Sequence, residues 1–142
     1  MASQKPTPQE SAQIEASRLD TDIMYRFEYV SKFLEFGTDD IAAIKGSASL
    51  LAPLVPTIVD AVYNKLFSFD ITKAHFLPRN EGYEGNLAND LSHLDLKHEQ
   101  IKMRKDMLSR YLVKLVTAEY NEAFVRYLDW VGKIHTKNSV CL

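Results

Sequence analysis

His135 holds the position that says most about chemistry. It follows Phe124, Leu128 and Val131 at steps of four, three and four residues. That is the spacing of one helix face, so the imidazole shares a stripe with apolar side chains. A neutral imidazole in such surroundings presents a lone pair, which suits axial ligation of a haem iron, where one helix-borne His is enough. The same position also suits a helix-end His bonded to a carbonyl, and spacing alone leaves both readings open. Tyr63 comes next, flanked by Val59, Val62, Leu66 and Phe67. A phenol buried there needs a partner for its hydroxyl, either a backbone carbonyl or a bound ligand.

The other candidate groups carry less. His93 and His98 are five apart, which is not the i, i+4 spacing of a helical zinc pair, and no H-E-x-x-H is present. These two and His75 read as loop or helix-start residues in contact with solvent. Cys141 is the single cysteine, so neither an internal disulfide nor a multi-cysteine metal site is available. No glycine-rich phosphate loop, dinucleotide fingerprint or nucleophile elbow occurs. The charges from Lys97 to Arg110 read as a solvated helix face with local ion pairs such as Glu99 with Lys102. Met103, Met107 and Tyr111 read as packing, and Trp130 as part of a helix interface.

These residues need helices to position them. Five glycines and five prolines in 142 residues leave long uninterrupted stretches. Residues 1–17 read as a flexible segment, and 18–142 as the folded domain. Asp20 or Thr21 caps a helix ending at Phe36, with Gly37 at the left-handed stop. Thr38 opens a second helix with Asp39 and Asp40 in its first turn; it is weakened by Gly46 and ends near Pro53. Pro56 sits in the first turn of a third, roughly 54–67. A short turn of helix over 69–76 and a polar loop over 79–92 follow. A long helix over 94–117 carries Ile101, Leu108, Leu112 and Leu115, and a last one spans 121–137. No strand or hairpin pattern appears, so the fold class is all-α.

Composition removes several alternatives. Lys+Arg is 17 against 19 Asp+Glu, a net charge of -2 that gives no electrostatic argument for nucleic acid or an anionic membrane. Charges are expected to interrupt each apolar stretch before bilayer-spanning length, so no membrane span is expected. The polar N-terminus lacks the pattern of a signal peptide, which points to a reducing, cytoplasmic setting.

Three stretches together resemble the globin-sensor family, which contains the protoglobins and the globin parts of bacterial globin-coupled sensors, and look most like its single-domain fungal members. They are PTIVDAVYNKLFSFDITKAHF (56–76), HEQIKMRKDMLSRYLVKLVT (98–117) and YLDWVGKIHTK (127–137). The resemblance implies a globin-like helical fold with an additional N-terminal helix before Gly37. It implies haem (iron protoporphyrin IX) as cofactor, His135 as proximal iron ligand and Tyr63 as the distal group facing bound gas. Phe67, Phe76, Leu108, Leu112 and Val131 would line the pocket. The ligand would be oxygen or another diatomic gas such as CO or NO, and the protein would not be an enzyme. Only seven residues follow His135, so the expected fold lacks the last two globin helices and exposes an apolar patch. That patch suits a homodimer or an unidentified protein partner. The alternative reading is a haem-free helical interaction module, or a degenerate globin remnant.

Overall fold

The computed structural model describes residues 11–136, and among these every regular element is a helix. In chain order they are α1 (Ala16–Thr21), α2 (Ile23–Phe33), α3 (Thr38–Gly46), α4 (Ala48–Leu51), a 3-10 turn (Ala52–Leu54), α5 (Val55–Phe67), α6 (Asp70–Ala74), α7 (Glu99–Thr117) and α8 (Glu122–Thr136). They form two compact units. Of the described residues, one comprises 11–37 together with 120–136; the other is Thr38–Glu119.

In the first unit α2 packs on α8. Asp22, in extended conformation, caps α2 by accepting from the Tyr25 amide at 3.0 Å. The expected cap, Asp20 or Thr21, instead lies inside α1, because the chain bends at Asp22 and starts a new helix there. Ile23, Phe27 and Val30 line a groove with Val125 and Leu128, and Arg26 meets Asp129 at 2.5 Å beside it. Phe124 and Val125 are buried. Trp130 departs from expectation: it is 46% exposed and meets the Tyr127 ring at 6.1 Å rather than filling an interface. Its place on α8, five positions after the buried Val125, turns it off the packed face.

The end of α2 also differs from expectation. Glu35, not Gly37, takes the left-handed conformation, with φ 55. The Phe36 amide bonds the Ser31 carbonyl at 2.8 Å and the Glu35 amide bonds Lys32 at 3.2 Å. This is the double closure of a Schellman stop, with a glutamate where glycine would be unstrained.

In the second unit α5 lies against α7. Val55, Val59 and Tyr63 recur every four residues on α5, and all three are buried with Leu94 and Ile101. The Lys105 ammonium reaches the Asp60 carboxylate at 2.5 Å, and Lys45 pairs with Glu119. The expected 38–53 helix is broken after Gly46, where the Ser47 hydroxyl bonds back to the Ile44 carbonyl at 2.6 Å. The expected 94–117 helix starts only at Glu99: the His98 imidazole caps it by accepting from the Gln100 amide at 3.2 Å.

One expectation from composition needs correcting. Thr38–Phe67 is apolar enough, by length and composition, to cross a membrane. Lys45 is the single charge between Ile41 and Val59, and one charge does not break such a stretch. Here the stretch is divided into α3, α4, the 3-10 turn and α5, and little of its most apolar part is buried. On its outer side Leu50, Leu51, Leu54, Ile58 and Val62 are exposed at helical spacing.

Two outcomes follow. Replacing Glu35 by glycine removes the side-chain strain at φ 55 and raises the unfolding free energy in urea by about 0.5–1 kcal/mol; an unchanged or lower value would contradict the strain. The Lys133 ammonium, 2.7 Å away, and then the Arg26 guanidinium hold Asp129 below the ordinary carboxylate range, against the opposing effect of desolvation. A depressed folded value stabilises above the unfolded pKa, and that gain is lost as pH falls through the folded value. The thermal-melt gap between wild type and Asp129→Asn is therefore widest near neutral pH and closes below about pH 4.

Candidate haem site

Tyr63 lies at the centre of the second unit. It is 5% exposed, and its ring meets Phe76 at 5.6 Å and Phe67 at 6.4 Å, with Phe67 and Phe76 themselves 5.4 Å apart. Helical spacing accounts for the first pair: Tyr63 and Phe67 are i, i+4 on α5. Phe76 arrives from the turn after α6, where Thr72 bonds back to the Leu66 and Phe69 carbonyls. Leu108 and Leu112, i, i+4 on α7, pack on the same cluster. Five of the sequence-predicted residues, Tyr63, Phe67, Phe76, Leu108 and Leu112, are thus brought together in this unit. Burial raises the Tyr63 pKa, the nearby Arg104 charge working weakly against it, so the group is a neutral phenol at physiological pH. Its hydroxyl has no hydrogen-bond partner among the described residues.

His135 and Val131 stand on α8, in the other unit. The His135 Nδ1 lies 2.7 Å from the Val131 carbonyl oxygen one turn earlier. A carbonyl only accepts, so Nδ1 carries the proton and, in the neutral ring, Nε2 carries the lone pair. The side chain is exposed, and Val131 is half-buried. An imidazole fixed through Nδ1 with Nε2 available is the arrangement that orients metal-binding histidines.

Two residues here were not singled out by sequence reasoning. Gln100 is 1% exposed, and its amide meets three backbone groups: Nε2 donates to Phe76 at 2.9 Å and Pro78 at 3.1 Å, and Oε1 accepts from the Asn80 amide at 3.0 Å. It ties α7 to the turn that carries Phe76. Arg104, expected on a solvated face, instead lies over the Phe76 ring at 5.1 Å. The rest of that face behaves as expected, with Lys102–Glu99 at 2.7 Å and Arg110–Asp106 at 2.6 Å. An i, i+4 relation between Gln100 and Arg104 was the available signal, since both then project over one turn of α7.

His93 is exposed and paired with Asp90 at 2.9 Å, His98 caps α7, and His75 follows α6 in contact with solvent. The Ser92 hydroxyl and the His93 ring hold Asp90 far below the ordinary carboxylate range. Among the described residues no group of three or more His, Cys, Asp or Glu could hold a bare metal ion. Cys141 lies outside the described residues.

Among the described residues every regular element is a helix, and the class this defines is the all-α fold shared by globin-type domains. The family described as Protoglobin matches residues 23–141, and the chain belongs to it. Membership carries globin-type haem and gas binding as a property of the family, which is one of gas-binding and sensing domains rather than of enzymes. No curated protein and no solved structure matches the chain.

Replacing Gln100 with leucine strips partners from Phe76, Pro78 and Asn80 at once. The expected cost is about 1–3 kcal/mol for each group left buried and unpaired. Urea unfolding reads the loss, and amide exchange at Asn80 reads the release of the turn; a variant as stable as wild type would show that water replaces the amide.

Proposed function

We propose that this chain is a haem-binding globin-sensor domain that takes up oxygen or a related diatomic gas, CO or NO, at a His-ligated iron. The observation that carries the reading is the 2.7 Å contact from His135 Nδ1 to the Val131 carbonyl, which leaves Nε2 as the ligating nitrogen and fixes the plane of the ring. Haem, when bound, would supply a Lewis-acidic iron able to take a diatomic gas. His135 would hold it through the lone pair of Nε2. The carbonyl behind it accepts the Nδ1 proton and so makes the imidazole a stronger donor. Tyr63 would offer its neutral hydroxyl as a hydrogen-bond donor to the gas so held. Phe67, Phe76, Leu108 and Leu112 would line the site with apolar surface beside that hydroxyl, and Val131 would add apolar surface on α8. The chemistry is reversible binding, without a catalytic residue, in a reducing cytoplasmic setting.

One observation favours a second reading. Leu50, Leu51, Leu54, Ile58 and Val62 expose an apolar stripe along α4 and α5, which suits a haem-free interaction module that covers this face with a partner or a second copy.

The visible spectrum separates the two. Purified protein supplied with haem should give a sharp Soret band that saturates at one haem per chain, shifts on reduction and shifts again with carbon monoxide. His135→Ala should lose the ligated spectrum and most of the haem. No saturable band in wild type would end the haem reading in favour of the interaction module; an unchanged spectrum in His135→Ala would move the ligand elsewhere.

A further inference from the structure

The Arg104 side chain is not accounted for by packing or by local ion pairing. Its neighbours on α7 find opposite charges: Lys105 meets Asp60, and Lys102 meets Glu99. Arg104 has no carboxylate partner among the described residues. It is partly buried, and burial lowers its pKa, with the nearby Tyr63 working the other way. Nη2 makes a long bond of 3.3 Å to the Pro78 carbonyl, which Gln100 Nε2 already occupies at 3.1 Å. Nε is fully buried and has no partner at all. A cationic N–H taken out of water without an acceptor is among the most unfavourable single groups a fold can hold.

The surroundings limit what could satisfy it. The guanidinium lies over Phe76, 5.1 Å from the ring centre, and that ring lies 5.6 Å from Tyr63. Arg104 Nε–H and the Tyr63 hydroxyl are therefore two unpartnered donors bordering one aromatic ring. The remaining neighbours in this cluster, Phe67, Leu108 and Leu112, are apolar. A cation, a phenol O–H and apolar walls complement a small anion with nitrogen or oxygen acceptors. A neutral diatomic ligand gives the guanidinium no full charge to answer.

We propose that Arg104, with Tyr63, gives this site, in its ferric form, an added affinity for a small monoanion of the azide or nitrite class, beside the neutral gas taken up by the ferrous form. Arg104 is a specificity residue in this arrangement, and Phe76 is the ring its guanidinium lies over. The proposal rests on the haem reading above. An anionic oxygen can also come from the porphyrin itself, through a propionate carboxylate, so the test separates the two sources.

The ferric, haem-loaded full-length chain is titrated with sodium azide and, separately, with neutral imidazole, each followed through the Soret shift. Arg104→Met should weaken azide by about tenfold or more, the value of one charge-assisted hydrogen bond, with imidazole affinity changed less than about twofold. Arg104→Lys keeps a charge without the Nε–H and should recover only part of the azide affinity. Far-ultraviolet dichroism checks that both variants fold; if the methionine variant does not, the lysine variant decides, and wild-type azide affinity in it overturns the proposal. Equal losses for azide and imidazole would assign Arg104 to structure and overturn it too. In a parallel arm haem dimethyl ester replaces haem. Azide affinity unaffected by Arg104→Met, together with weaker retention of ordinary haem but not of the ester, would give the guanidinium to a propionate and overturn the proposal. Absence of a Soret band in wild type would instead overturn the haem reading itself, and this proposal with it.

Discussion

A side-chain amide withdrawn from water has two donors and an acceptor with two lone pairs to satisfy, and it is unfavourable to bury unless most of them are answered. Gln100 is 1% exposed and answers three of them with the backbone of Phe76, Pro78 and Asn80. Those three carbonyl and amide groups belong to a segment without regular structure, between the end of α6 and the long loop. Left alone it would be free to move, and Phe76 with it. Held by Gln100, it presents the Phe76 ring to Tyr63, Phe67 and Arg104. The aromatic cluster depends on this one polar contact more than on any single apolar one. Apolar contacts are non-directional, whereas an amide bonded at both ends fixes position.

The same turn shows how polar groups in this unit are graded by satisfaction. Gln100 is almost fully paired and acts as a fastener. Tyr63 is buried and neutral, with its hydroxyl unpartnered among the described residues. Arg104 keeps a buried Nε–H without any partner. Folding stability alone favours the first kind and disfavours the other two. Of the two, only the Arg104 Nε–H is a buried donor left unmet among the described residues, and such a group is one that a ligand could answer.

How much of this was legible in the sequence follows from the length scale of each signal. Helical periodicity located α5, α7 and α8, because apolar spacing every three to four residues is imposed by burial of one face. The Tyr63, Phe67, Phe76, Leu108 and Leu112 group was legible through the family resemblance, and the structure brings these five together. Helix ends were less legible. Asp22 caps α2 instead of Asp20 or Thr21, and Glu35 takes the left-handed position two residues before the glycine that would accept it without strain. Several residues near each end are chemically able to cap, and the choice is made by where the chain must turn to reach its next contact. Arg104 was illegible for another reason. A charge within a charged run reads as solvated, and only Phe76, twenty-eight positions earlier, makes it otherwise.

His135 shows the opposite case, in which a local contact fixes a chemical property. The imidazole is exposed, so burial neither orients it nor chooses its tautomer. The Val131 carbonyl does both, because it lies one helical turn back and can only accept. That contact follows from helix geometry alone: any His with the right rotamer can reach the i−4 carbonyl. It is therefore common as a helix-end bond and becomes informative only together with the apolar register Phe124, Leu128, Val131 on the same face. An imidazole bonded only to a carbonyl is a satisfied donor. The same bond leaves the lone pair of the neutral ring on Nε2, so one backbone carbonyl a turn back decides which nitrogen can accept a partner.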